Sequence, residues 1–133
     1  MKIVVGEGSC GIAAGAAKVY SAIGKLIGST ASTLTVTGCI GMCFLEPIVD
    51  IYDGGELKKR LVKVQPEDAE KIIAYVNGDE NAVNDIEISD DDKLFLEKQT
   101  RIALRHCGII NPEVIDEYTA EDGYKALEKV LKT

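Results

Sequence analysis

The residues of this chain best suited to chemistry are its cysteines, four in number, of which three are predicted to fall at turns. Cys39 and Cys43 stand in Gly38-Cys39-Ile40-Gly41-Met42-Cys43, a C-x3-C loop directly after a predicted strand. Small residues between the two let both sulfurs converge while backbone N–H groups turn towards them, which is how a protein tunes an iron–sulfur centre. Cys10 stands in the predicted first turn of a helix, where the positive end of the peptide dipoles favours thiolate, the form that nucleophiles and metal ligands need. In a parallel β-α-β order the ends of the first two strands share one edge, so Cys10 is expected to meet the loop and bring three thiolates together. The competing reading makes Cys39 and Cys43 small buried hydrophobes, and the glycines around them argue against it. Thioredoxin-type disulfide exchange would use C-x2-C at a helix start, which the chain lacks. Zinc favours four ligands in tight pairs, whereas the one histidine, His106, lies far along the chain. Cys107 beside it reads as a packing residue at an apolar helix end.

Gly6-Glu7-Gly8-Ser9-Cys10-Gly11 matches G-x-G-x-x-G between a strand and a helix, the place of a dinucleotide fingerprint. A pyrophosphate there would rest on N–H groups at the helix start. Two features oppose it: Glu7 sets negative charge where the pyrophosphate would lie, and the second strand ends in Thr37-Gly38-Cys39 with no acid for the ribose hydroxyl. The turn reads as one that needs glycines for packing.

The elements that must position these residues follow from periodicity. Ile3-Val4-Val5 is a buried strand, and Ile12, Ala16, Val19, Ile23 and Ile27 recur at helical spacing over 11–27. Thr33 to Thr37 alternates with strand period. Residues 46–52 and 58–64 flank Asp53-Gly54-Gly55-Glu56 as a hairpin, and Pro66 opens a helix to Val76 with acids in its first turn. The order β-α-β-β-β-α describes an α/β sandwich of thioredoxin-like layout. Helices are expected over 92–106, 111–118 and 120–131.

Composition divides the chain. Its 133 residues fit one ordinary domain with an appendage, and 46% hydrophobic residues supply a core without disulfides. Of the net charge of −7, residues 1–60 carry +1 and residues 61–133 carry −8. That balance excludes a phosphate-binding face, so no nucleic acid is expected. No apolar run reaches a membrane span, and the start is too short for a signal h-region. A cytoplasmic location is expected, where cysteines serve metal or redox chemistry. Seven acids and no Lys or Arg lie between Gly78 and Asp92, read here as a solvated junction over 79–92 between a domain of 1–78 and a helical tail of 93–133.

Gly8-Ser9-Cys10-Gly11-Ile12-Ala13-Ala14-Gly15-Ala16, then Thr37 to Cys43 and Glu46-Pro47-Ile48-Val49, resembles the thioredoxin-like [2Fe-2S] ferredoxin domain. That domain heads the flavoprotein subunit of NAD(P)-reducing and electron-bifurcating hydrogenases and is related to the small iron–sulfur subunit of NADH dehydrogenase. Gln99 to Gly108, Asn111-Pro112-Glu113, Ile115 to Tyr118 and Gly123 to Leu127 look like the lead-in to the FMN- and NADH-binding domain of that subunit. The chain reaches Thr133 before the glycine-rich flavin motif, so no flavin or NADH site of its own is expected. The resemblance implies a [2Fe-2S] cluster on Cys10, Cys39 and Cys43, passing single electrons among the flavoprotein and iron–sulfur subunits of a redox complex. Such domains carry four cysteines, two near the first turn; here Val5 or Gly6 stands in the place of the first. Ser9, Glu7, solvent, Cys107 or a subunit partner could complete the set. The alternative is a cluster-less module of the same fold that docks a partner subunit.

Overall fold

The computed structural model describes residues 1–133. Four strands form one sheet in the order β2-β1-β3-β4: β1 (Lys2–Gly6), β2 (Thr33–Thr37), β3 (Val49–Asp53) and β4 (Glu56–Leu61). β1 runs parallel to β2, whereas β3 is antiparallel to both β1 and β4. Position in the sheet explains the burial of each strand. Central β1 and the start of β3 are covered on both faces, β1 as an apolar run and β3 with Asp50 buried between Val49 and Ile51; edge strands β2 and β4 are partly open. The expected order of strands and helices is found, as the mixed α/β architecture of a thioredoxin-like sandwich.

The helix expected over 11–27 is two helices, α1 (Ser9–Ala14) and α2 (Ala16–Leu26), parted at Gly15. Its φ of 105° is left-handed backbone that an L side chain rarely adopts, and it turns the chain between them. Ala16, Val19 and Ile23 of α2 and Ala69, Ile72 and Ile73 of α3 (Ala69–Val76) pack on Ile3, Val5, Val49, Ile51 and Leu61 from one face of the sheet. The N–H of Gln65 donates to the Asp68 carboxylate at 2.9 Å where this second helix begins. No helix is long and apolar enough to cross a membrane.

The stretch 79–92, expected as a solvated junction, is fastened to the sheet. Val83 is buried in the main core, and Ile88 in a second cluster with Ile40, Met42, Leu45 and Ile48. The Val62 N–H donates to the Ile86 carbonyl and the Ile88 N–H to the Arg60 carbonyl, both at 2.9 Å, so the segment extends β4 laterally. Among its seven acids, Glu87 pairs with Lys59 and Lys93 and Asp85 with Lys71, all cations from outside it. A charge count misses this because one buried Val or Ile contributes about 1.5–3 kcal/mol, enough to anchor a polar stretch.

The helix expected over 92–106 is short, α4 (Asp90–Glu97), with Ser89 capping it by accepting from the Asp92 N–H at 3.2 Å. The chain beyond it turns irregularly, because its backbone is spent on the other face of the sheet. Thr37 Oγ1 accepts from the Gly108 N–H at 3.0 Å and donates to the Ile110 carbonyl at 2.8 Å. The Tyr52 hydroxyl donates to the Gly108 carbonyl at 3.3 Å, and Asn111 Nδ2 to Thr35 Oγ1 at 3.3 Å. Thr35, Thr37 and Tyr52 lie on the face opposite the helices. Two short helices follow, α5 (Ile115–Ala120) and α6 (Lys125–Leu131), both largely exposed.

Two outcomes follow for 79–92. Val83→Ala should lower unfolding stability by about 2 kcal/mol in urea titration, as a buried truncation does; a neutral change would leave the segment outside the cooperative unit. In hydrogen exchange, the Ile86 and Ile88 amides should be slow together with β4, and those of α6 fast.

Candidate metal centre

Cys10 is the second residue of α1, just past the end of β1, and Cys39 lies two residues past the end of the parallel β2. One further ladder bond, Glu7 N–H to the Thr37 carbonyl at 2.9 Å, ties the β1–α1 turn to the start of the cysteine loop. The Sγ atoms of Cys10, Cys39 and Cys43 all lie within 4.8 Å of one another, as the shared strand edge implies. Cys39 and Cys43 are 3.6 Å apart, close to the edge of about 3.8 Å that tetrahedral ligation with bonds of about 2.3 Å requires. The Gly41 N–H points at Cys39 Sγ from 3.2 Å. All four cysteines are free; Cys43 is exposed and the other three half-buried. Cys107 is outside the sulfur group, in the tail segment.

The glycine turn has its explanation here. A Cβ at Gly8 would stand 2.8 Å from the Cys39 Cβ and 2.9 Å from the Cys39 nitrogen. A Cβ at Gly11 would stand 2.1 Å from the Gly6 carbonyl oxygen. The close approach these glycines permit is that of the cysteine loop and the strand end, so the room a pyrophosphate would enter is filled by protein.

Glu46, one residue past the 3₁₀ turn Cys43–Leu45, is a residue that reading the sequence for chemistry passed over. It is only 8% exposed. Its Oε2 accepts from the Ile48 N–H at 2.8 Å, which aims Oε1 at Cys10 Sγ, 3.8 Å away. The available signal was a single acid in an otherwise apolar run, Phe44-Leu45-Glu46-Pro47-Ile48-Val49. Behind it on the sheet, Asp50 is held in a two-bond pair by Arg60, at 2.8 and 2.7 Å.

The electrostatics differ from the expectation that the helix start would favour a thiolate at Cys10. Burial first, then the crowding of Cys39, Cys43 and Glu46, pushes the Cys10 thiol up to about 12. Burial also raises Glu46 above the usual carboxylate range, against the opposing bond from Ile48. A helix of six residues supplies too little dipole to offset neighbours that are all acids.

The tail braces the loop. Arg101 donates to the carbonyl of Ile40, which lies between the two loop cysteines, and a Cβ at Gly108 would stand 2.6 Å from Ile40 Cγ2. Thr37, bonded twice to the tail, is the last residue before the loop.

No protein-family model matches the chain. A stretch of 34 residues is 62% identical to the NADP-reducing hydrogenase subunit HndC of Solidesulfovibrio fructosivorans; it is 26% of this chain and only 7% of that subunit. Two solved structures from Aquifex aeolicus are similar to about two thirds of the chain. A thioredoxin-like [2Fe-2S] ferredoxin matches at 22% identity and a TM-score of 0.55, over 66% of this chain and 89% of that one. A cysteine-to-serine variant of the thioredoxin-like [2Fe-2S] ferredoxin matches at 20% identity and a TM-score of 0.57, over 67% and 98%. The sandwich that gathers Cys10, Cys39 and Cys43 is thus the fold of the thioredoxin-like ferredoxins.

Proposed function

We propose that this chain is an electron carrier that holds a [2Fe-2S] cluster through Cys10, Cys39 and Cys43 and serves as one domain of a cytoplasmic, NAD(P)-linked redox complex of hydrogenase or NADH dehydrogenase type. The observation that carries this reading is the convergence of three sulfurs within 4.8 Å on two loops that no disulfide joins. Such a cluster supplies one-electron oxidation and reduction with no bond chemistry on a substrate. The chain's own contribution is ligation and tuning. The Gly41 N–H on Cys39 Sγ offsets negative charge on that sulfur, which favours the reduced state. Exposed Cys43 sets the site at the surface, within reach of a docked donor or acceptor.

The likeness to a hydrogenase subunit and to ferredoxins supports the reading, as does the tail. Ile102, Ile115, Val130 and Leu131 are each more than 60% exposed, an apolar surface suited to the remainder of a flavoprotein subunit. Residues 93–133 are accordingly the lead-in to such a domain. A docking module without a cluster would use that surface equally well and hold no iron, so metal content separates the two.

Reconstitution with iron and sulfide under anaerobic conditions should give a coloured protein with two of each per chain. Each of Cys10→Ser, Cys39→Ser and Cys43→Ser should bleach it or shift its visible spectrum, because serine oxygen is a harder ligand for iron. Cys107→Ser should leave the spectrum unchanged. A silent Cys10→Ser with a bleached Cys107→Ser would move the site to the tail, and a chain that never colours would fail as an electron carrier.

A further inference from the structure

Three cysteines leave one position of a four-ligand set open, and the surroundings of Gly6 show what stands there. Val5 points into the helix-side core and is fully buried in it, so it is not the counterpart of a ligand. Gly6, the last residue of β1, faces the other way. A Cβ built on Gly6 would lie 3.3 Å from Glu46 Oε2 and 3.4 Å from Oε1. The space into which a side chain at position 6 would project is occupied by the Glu46 carboxylate. A Cβ at Gly11 would likewise come within 3.2 Å of Glu46 Oε2, so two glycines of the turn make room for this one acid.

We propose that Glu46 is the fourth ligand of the metal centre, with Oε1 taking the place of the missing thiolate. The inference rests on the electron-carrier reading. Two of the donor distances stand near the edge of a tetrahedral metal, within a group whose three sulfurs all lie inside 4.8 Å. Cys39 and Cys43 are 3.6 Å apart, and Cys10 Sγ and Glu46 Oε1 are 3.8 Å apart. Two ligands on one tetrahedral metal, one sulfur at about 2.3 Å and one oxygen at about 2.0 Å, stand about 3.5 Å from each other. Each pair is spaced to share one metal, and a two-iron centre would take one pair on each iron, drawing the pairs further apart than the 4.8 Å that bounds the three sulfurs here. Glu46 is also oriented before any metal arrives: the Ile48 N–H holds Oε2 at 2.8 Å and leaves Oε1 free of any partner but the Cys10 thiol. Glu7, the other acid at the turn, is a poorer ligand for this centre. It is more exposed than Glu46, and no bond aims its carboxylate at a sulfur as the Ile48 N–H aims that of Glu46.

The test compares the wild-type chain with Glu46→Gln and with Gly6→Cys/Glu46→Ala, all reconstituted anaerobically with ⁵⁷Fe and sulfide. Mössbauer spectra of the wild type should show two unlike ferric sites, one all-sulfur and one with an oxygen ligand. Glu46→Gln should lose its cluster to a chelator about tenfold faster or more. The double variant, in which a cysteine regains the position the carboxylate vacates, should show two all-sulfur sites and a shifted visible spectrum. A Glu46→Gln protein with wild-type iron content, lifetime and Mössbauer spectrum overturns the proposal while leaving the electron carrier intact. A wild-type chain that takes up no iron and sulfide overturns both. Should Glu46→Gln fail to fold, wild-type protein labelled with carboxyl-¹³C glutamate decides: pulsed EPR of the reduced cluster shows carbon coupling from the ligand, and its absence overturns the proposal.

Discussion

Backbone must touch backbone where the β1–α1 turn meets the loop after β2, and the rest of the site depends on that contact. At Gly8 the clearance to Cys39 is too small for a methyl group, and at Gly11 the clearance to the Gly6 carbonyl is smaller still. Sulfurs on two separate loops can converge only if the loops themselves approach this closely, because a cysteine side chain has one rotatable carbon. Any side chain at Gly8 would hold Cys10 and the C-x3-C loop apart. The G-x-G-x-x-G spacing is therefore shared with nucleotide sites for a common mechanical reason, close backbone approach, while what approaches here is a protein loop.

That contact is set by the sheet. Parallel pairing of β1 with β2 brings the C-terminal ends of both strands to one edge, as in open α/β sheets that place their sites there. Antiparallel β3 then returns beside β1 and delivers Ile48 and Glu46 to the same edge, with the Gly6 N–H bonded to the Ile48 carbonyl at 2.9 Å. Helices α2 and α3 cover one face, and the tail covers the other through Thr35, Thr37 and Tyr52. Bracing on both faces confines the loop without a regular element inside it. Arg101 on the Ile40 carbonyl is the most direct of these braces, since Ile40 lies between Cys39 and Cys43.

Legibility in the sequence followed how local the cause was. β2 was readable to the residue, because Thr33 to Thr37 alternates and is β-branched. The convergence of Cys10, Cys39 and Cys43 was readable from strand order and C-x3-C spacing. The anchoring of 79–92 was not, because Val83 and Ile88 are two apolar residues in a run dominated by acids, and their partners come from distant segments. Nor was the end of α4 at Glu97, where hydrogen bonds from the sheet's side chains outcompete a helical pattern that continues in the sequence. Nor was the role of Glu46, since nothing local says that this nearly buried carboxylate faces a thiol 36 residues away.

The acids around the site differ in how their charge is balanced. Asp50 is neutralised by Arg60, which fits both of its oxygens. Glu46 and the three cysteines have no such partner within the chain; among the cations near the sheet, Lys59 and Lys93 serve Glu87 and Lys71 serves Asp68 and Asp85. Burial first, and then the neighbouring thiols and Glu46, raises the Cys10 thiol to about 12, and burial raises Glu46 against the bonds from Ile48 and Cys10. A metal centre bound by these groups would take the place of their protons, so its binding would release protons and stabilise the loops that carry them. The two loops, Glu46 and the glycine turn thus form one unit, held together by close backbone approach and by the Cys10–Glu46 and Ile48–Glu46 contacts, and a cation is the occupant whose charge would complement it.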